Sequence, residues 1–393
     1  MSEKWSTVEL EEIVKVTHGW AFPSAACRLP VGNYPRLLRI GDFARTSASN
    51  FTPETVQEYL GEYPSNYELA PGDLLLAMTC QSIGGEILGV SLRIPDNGMK
   101  YLHNQRLGLI KVLPGAPVDI NFLDFALRDK SFNRHLYETS SGSKILHTAP
   151  ERILQYKLRL PTLATQKRIA EVLLSLETLI GENQKLVESC QDLRRAVVGK
   201  ALNASEFTIP LSAAAAFING KNFTKNASGA GRPVIRTPEI RKGPSDGTVW
   251  SDIQTQSNFL ATAGDILFVW SGSLMAQRWI YEEGLVNQHI FKVVPKEGVP
   301  PWLIMGQLEY QMPRFISVAS DKATTMGHIQ RRHLDQSVPM LSSEGIDELK
   351  LVINPIWEVE LLLSLKNLQL VKTRDELLPL LLSGAITVNQ VAA

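Results

Sequence analysis

Residues 161–202 read PTLATQKRIAEVLLSLETLIGENQKLVESCQDLRRAVVGKAL. Ile169, Leu176, Asn183, Cys190 and Val197 recur every seven residues, and Val172, Leu179, Leu186 and Leu193 recur three positions later. A seven-residue apolar repeat of this kind predicts one long helix with a narrow seam that needs a single long partner helix. Thr162 or Thr165 can cap its start. Asn183 on the seam supports the same reading, because a lone polar seam residue fixes register at some cost in stability. An ordinary helix of a globular domain is the bland alternative.

The chain has 393 residues, room for two or three domains. Hydrophobic residues make up 44% and charged residues 20%, so folded cores are expected. MSEKWSTVELEEI carries charge from residue 3 and does not read as a secretory signal. No run of about 18 apolar residues is present, so no membrane partner is expected. Cys27, Cys80 and Cys190 show no C-x-x-C pairing, which fits a reducing, cytoplasmic setting and not a cysteine zinc site. Net charge is zero, so any basic surface must be local. Between residues 219 and 243 stand Lys221, Lys225, Arg232, Arg236, Arg241 and Lys242 against Glu239 alone, and nine basic residues face three acids between 128 and 168. A solvated face is the ordinary meaning of either cluster.

Residues 1–160 read as mixed helix and strand. Pro71-Gly72-Asp73 introduces a buried strand at 74–78, 107–113 is another apolar run, and 120–137 has helical spacing. The segment beyond the long helix repeats this first one. Leu10…His18-Gly19 matches Leu211…Asn219-Gly220, and Pro71 to Leu76 matches Ala263 to Phe268. His103-Asn104-Gln105 matches Val286-Asn287-Gln288, and SKILHTAPERIL matches TTMGHIQRRHL around His147 and His328. The offset drifts smoothly, as loop deletions would give. Leu173-Leu174-Ser175-Leu176 recurs as Leu362-Leu363-Ser364-Leu365, with Leu361, Leu365 and Leu368 as seam residues of a second long helix. The expected organisation is a domain at 1–160, a helix at 161–203, a domain at 204–354 and a helix with a tail at 355–393. The fold class is α+β: two mixed α/β domains separated by two long helices that pair as an antiparallel coiled coil, with a pseudo-two-fold internal repeat.

Catalytic motifs are missing: no G-x-x-x-x-G-K-[ST], H-E-x-x-H, G-x-S-x-G or G-x-G-x-x-G is present. Asn354-Pro355-Ile356-Trp357 approaches the amine-holding motif of amino-methyltransferases, but Ile356 breaks it, and it reads as the turn into the last helix. What is left is recognition. Two similar surfaces on a rigid spacer can read DNA at sites at least one duplex turn apart, about 34–36 Å. Phosphates need Lys or Arg, and base edges need Arg, Asn or Gln. Asn104 and Gln105, and their counterpart Gln288, hold one slot in both halves, where a structural turn is the better reading. The divergent stretches are stronger candidates: Thr79, Cys80, Gln81 and Ser82 against Trp270, Ser271, Gly272 and Ser273, and Arg36, Arg39 and Arg45 against Arg236, Arg241 and Lys242. Lys144 and Lys322, just before the repeated histidines, and Arg331 complete the candidates for DNA contact.

With its length, its repeated halves, the Gly-Asp-Leu/Ile-Leu strand, the Asn-Gln pair and Leu160-Pro161…Gln166…Ile169 opening a leucine-seamed helix, the chain resembles the specificity subunit of type I restriction–modification systems. Thr165 stands where the family usually has Glu, and the second helix opening lacks the Gln. The resemblance implies two target-recognition domains on double-stranded DNA, each reading half of a split asymmetric site. It implies that the paired helices act as a ruler and dock two methyltransferase subunits. Restriction subunits join them. S-adenosylmethionine, ATP and Mg would belong to those partners, and this chain would carry no cofactor, metal or catalytic residue. A stand-alone methyltransferase or nuclease, a coiled-coil adaptor that never touches DNA, and the specificity subunit of a related non-type-I system are the rival readings.

Overall fold

Strand Leu74–Ala77 is buried on both faces, and the computed structural model shows why. The model describes residues 5–43, 51, 53–320 and 328–391. Successive side chains of a strand point to opposite faces. Leu74 and Leu76 join a core with Ile110, Phe122, Phe125, Phe132, Ile169 and Leu173, whereas Leu75 and Ala77 join another with Leu38, Tyr101 and Leu107. The strand sits in a four-stranded antiparallel sheet ordered Val14–His18, Leu107–Val112, Leu74–Ala77, Ser91–Arg93. A second sheet lies on the other core. In it Arg36–Leu38 and Tyr101–His103 run parallel, flanked by Glu58–Tyr59 and Glu68–Leu69.

The same order recurs after residue 204. Ala215–Asn219, Ile290–Pro295, Ile266–Val269 and Met275–Arg278 form a four-stranded sheet, and Arg232–Ile235 runs parallel to Gly284–Val286 between Trp250–Ser251 and Leu260–Ala261. Ile266 and Phe268 face Trp302, Leu303 and Phe315, while Leu267 and Val269 face Ile235, Trp279 and Val286. A separate two-stranded sheet repeats too: Ser6–Glu9 pairs with Lys157–Leu160, and Thr208–Pro210 with Ser337–Pro339. The expected repeat is therefore a repeat of topology. The helical spacing at 120–137 resolves into two helices, Ile120–Leu127 and Lys130–Thr139. Asp129 breaks them apart by capping the second, accepting from the Ser131 amide at 2.8 Å.

Two long helices run through Leu163–Ala204 and Ser343–Ser383. The second begins twelve residues before the expected 355, so Asn354-Pro355-Ile356-Trp357 lies inside a helix and is not a turn. Buried Ile353 and Trp357 flank Pro355, and Asn354 Oδ1 accepts from Trp302 Nε1 at 2.7 Å, which anchors the helix across the proline. The chain divides into two units, Met1–Gly181 with Leu370–Ala393 and Glu182–Gln369, and each unit holds part of both helices. In the second unit the helices run antiparallel, with Asn183 Nδ2 donating to Asn367 Oδ1 at 2.9 Å and Arg194 reaching Glu360 at 3.3 Å. In the first, Arg374 of the second long helix meets Glu177 at 3.7 Å, and Arg168 donates at 2.8 Å to Asn389, on the short helix Val388–Val391 that follows.

The seam is half the expected one. Ile169 and Asn183 are buried and Leu176 and Cys190 half-buried, but their buried neighbours are Leu173, Ile180, Val187 and Arg194. Leu179 is only half-buried, and Leu186 and Leu193 are 49% and 50% exposed. On the second helix Trp357, Glu360, Asn367 and Leu381 are buried, Leu361 and Leu368 half-buried, and Leu365 and Leu362 exposed. Both three- and four-residue steps return to nearly the same helix face, one on each side of it. The seven-residue period placed one row correctly and put its companion row on the wrong side. Val187→Ala is expected to cost about 2 kcal/mol and Leu186→Ala less than about 0.5 kcal/mol, measured as shifts in urea unfolding of the full chain. Equal costs would overturn the corrected seam.

The seam also carries charge. Arg194, 1% exposed, reaches Glu309 at 2.6 Å and Glu360 at 3.3 Å. Burial alone would lower its pKa, but the two carboxylates outweigh that and hold it above its ordinary value. Arg278 stacks on Trp357, 3.6 Å from the ring centroid, and its pKa is pushed down to about 10 chiefly by burial.

Candidate nucleic-acid interface

In each unit four chain segments converge through backbone hydrogen bonds. In the first, the Thr148 amide donates to the Met78 carbonyl at 2.9 Å, and the Met78 amide to the Arg106 carbonyl at 3.0 Å. The Trp20 amide donates to the His103 carbonyl and the Gln105 amide to the Trp20 carbonyl, both at 2.9 Å. In the second, the Ile329 amide donates to Trp270 at 2.9 Å, Trp270 to His289 at 3.2 Å, and Lys221 to Val286 at 3.1 Å. Gly19 and Gly220 permit this close crossing: a Cβ on either would lie 2.2 Å from a backbone carbonyl oxygen, of His103 and Val286 respectively.

This frame corrects one alignment of the two halves. Met78, not Thr79, is the counterpart of Trp270, and Thr79 pairs with His147 as Ser271 pairs with His328. The sequence match slipped by one residue where side-chain similarity ends; the offset of the preceding strand continues unchanged.

In the first unit the convergence leaves a cleft of about 550 Å³ lined by His18, Gly19, Met78, Thr79, Gln105, Arg106, His147 and Thr148. Thr79 Oγ1 and His147 Nδ1 stand 3.1 Å apart. In the second unit the Trp270 ring takes Met78's place, its Nε1 donating to Asn219 Oδ1 at 2.8 Å. Its ring centroid lies 5.8 Å from that of His289 and 6.2 Å from that of His328.

Of the residues singled out from the sequence, Thr79, Gln105, Trp270, Ser271 and Gln288 belong to these two places. Gln81 and Ser82 lie exposed on the adjoining loop, with Ser82 bonded to Glu86, and Lys144 is exposed just before Leu146–His147. The Asn of each Asn-Gln pair is structural: Asn104 Oδ1 accepts from the Arg106 amide at 3.1 Å, and Asn287 Oδ1 from the Gln288 amide at 2.5 Å. Arg36 is corrected outright. It is buried, 3.4 Å from the fully buried Glu58, which also binds Arg28 at 3.1 Å, so it neutralises an internal carboxylate. Arg236 is held by Glu239 at 2.6 Å and donates to the Gly247 carbonyl at 2.9 Å, bracing a helix start. Arg39 is half-buried, while Arg241, Lys242 and Arg331 are exposed on short helices. Arg45 and Lys322 lie outside the described residues.

His18, Arg106, Thr148, Asn219 and His289 were not singled out as site residues, although each lies in or beside a repeated motif. The repeated histidines 147 and 328 were the signal, since a matched residue at a matched place in both halves marks where the segments meet. Among the described residues no three His, Cys, Asp or Glu gather as a metal site, and no helix is long and apolar enough to cross a membrane.

Comparison with known proteins gives the class. The family model of the type I restriction modification DNA specificity domain matches residues 2–188. The match assigns that DNA specificity domain to the first part of the chain, just under half of its length. It is 29% identical over 206 residues to the type I restriction enzyme MjaVIII specificity subunit of Methanocaldococcus jannaschii, a match over 51% of this chain and 46% of that protein, so it spans about half the length of this curated relative. It shares its fold with the crystal structure of a type I restriction–modification S subunit from M. genitalium: TM-score 0.55, 13% identity, 97% of this chain and 95% of that one.

Proposed function

We propose that this chain reads a split, asymmetric DNA site, each unit contacting one half, and docks adenine-N6 methyltransferase subunits and restriction subunits. One observation carries the reading: the same four-segment crossing is built twice in one chain, with different side chains at its centre, Met78, Arg106 and Thr148 in one and Trp270, His289 and Ile329 in the other. A common frame with divergent contents is what two readers of different sequences require. The long helices, each contributing to both units, would set the unread gap and carry the methyltransferases. Their exposed leucines, Leu186, Leu193 and Leu362 among them, are candidates for that docking. The chain itself is non-catalytic in this reading; S-adenosylmethionine, ATP and Mg act in the partners, where the target adenine leaves the stack.

Co-expression with its methyltransferase subunit, followed by mapping of methylated adenines, is expected to give two short specified blocks separated by a fixed gap. An assembled complex that methylates nothing above background would instead favour an adaptor.

A further inference from the structure

The cleft of the first unit has a cationic, polar lining. Arg106 brings a positive charge, His18, Thr79, Gln105, His147 and Thr148 can each donate, and among the described residues no carboxylate lines it. One lining residue holds an unmet group: Thr148, 8% exposed, has a buried hydroxyl without a hydrogen-bond partner. Buried hydroxyls are ordinarily paired, so an orphan in a cleft of donors points to an acceptor-rich ligand. The cleft is also concave. Base edges lie recessed in a groove, where protruding side chains reach them, whereas the sugar–phosphate strand is a ridge that fits a recess.

We propose that this cleft seats a backbone phosphate of the DNA, with Arg106 as its charged contact and Thr148 as a hydroxyl donor, so that it positions the first unit and does not read sequence. This rests on the DNA-reading function above. The second unit does not repeat the device: His289 and Ile329 replace Arg106 and Thr148, and Trp270 presents an aromatic face in place of Met78. The two units therefore hold the duplex by different means, a charged recess in one and a ring platform in the other.

The test uses the complex with its methyltransferase on DNA carrying the motif that it methylates. Arg106→Ala is expected to weaken binding about tenfold near 0.1 M salt, to lower the slope of log affinity against log salt by about one, and to leave the methylated motif unchanged. Thr148→Val keeps the shape; it is expected to raise the melting temperature of the free chain, because an unpaired hydroxyl is removed, yet to weaken DNA binding. Replacing single phosphates by methylphosphonates should find one linkage whose neutralisation weakens the wild type but not Arg106→Ala. A motif relaxed at one base pair in Arg106→Ala would overturn the proposal in favour of base reading, as would an unchanged salt slope in favour of no contact. Failure of the wild-type complex to bind or methylate any sequence selectively would instead remove the DNA-reading function itself.

Discussion

Arg194→Ala is expected to destabilise the second unit by about 3–5 kcal/mol, the usual result of stripping one partner from a buried ion pair. Arg194 is buried between Glu309, on helix Pro301–Ser320, and Glu360, on the second long helix, and also lies 5.4 Å from the Trp357 ring. Its removal leaves Glu309 with the exposed Arg195 at 3.6 Å and Glu360 with the Gln191 amide at 3.3 Å, two poorly neutralised carboxylates next to an apolar core. Five of the seven tryptophans, Trp250, Trp270, Trp279, Trp302 and Trp357, belong to this unit, so urea unfolding followed by tryptophan fluorescence reads it preferentially. The triple change Arg194→Met with Glu309→Gln and Glu360→Gln should recover most of the loss, since the cost lies in unpaired charge and not in missing volume. A single variant within about 1 kcal/mol of wild type would mean that water reaches the site and the network is not structural.

The second large effect is expected at the crossing glycines. Gly19→Ala or Gly220→Ala places a methyl 2.2 Å from a backbone carbonyl oxygen, a contact no side-chain rotation relieves. The strand end must move away from the Asn-Gln turn, at a cost of about 3 kcal/mol. The functional loss should exceed the stability loss, because the displaced segments build the candidate DNA surface: on the proposed function, methylation by the assembled complex is expected to fall by about a hundredfold or more for either variant. Gly181→Ala is the control. It sits in a helix with open space around it, and the change should stabilise by up to about 1 kcal/mol and leave methylation intact. Full methylation by Gly19→Ala would show that the crossing tolerates displacement and does not hold the reading surface.

Much of this was legible from sequence because it is periodic or repeated. A seven-residue repeat needs no tertiary knowledge to announce a long helix, and two ordered sets of short motifs announce two copies of one topology. The seam residues Ile169, Leu176, Asn183 and Cys190 followed from period alone. The rest depended on which partner each residue meets. Leu186 and Val187 are both apolar and adjacent, and only the second helix decides which one is covered. Arg36 and Arg106 look alike in sequence; one faces Glu58 inside the unit and the other lines an open cleft. Sequence by itself thus determined the class of elements, their order and their duplication, because these follow from local pattern. Tertiary structure alone decided the face of each helix, the one-residue register that sets Met78 against Trp270, and which charges are free to meet DNA, because burial and pairing are properties of segments far apart in the chain.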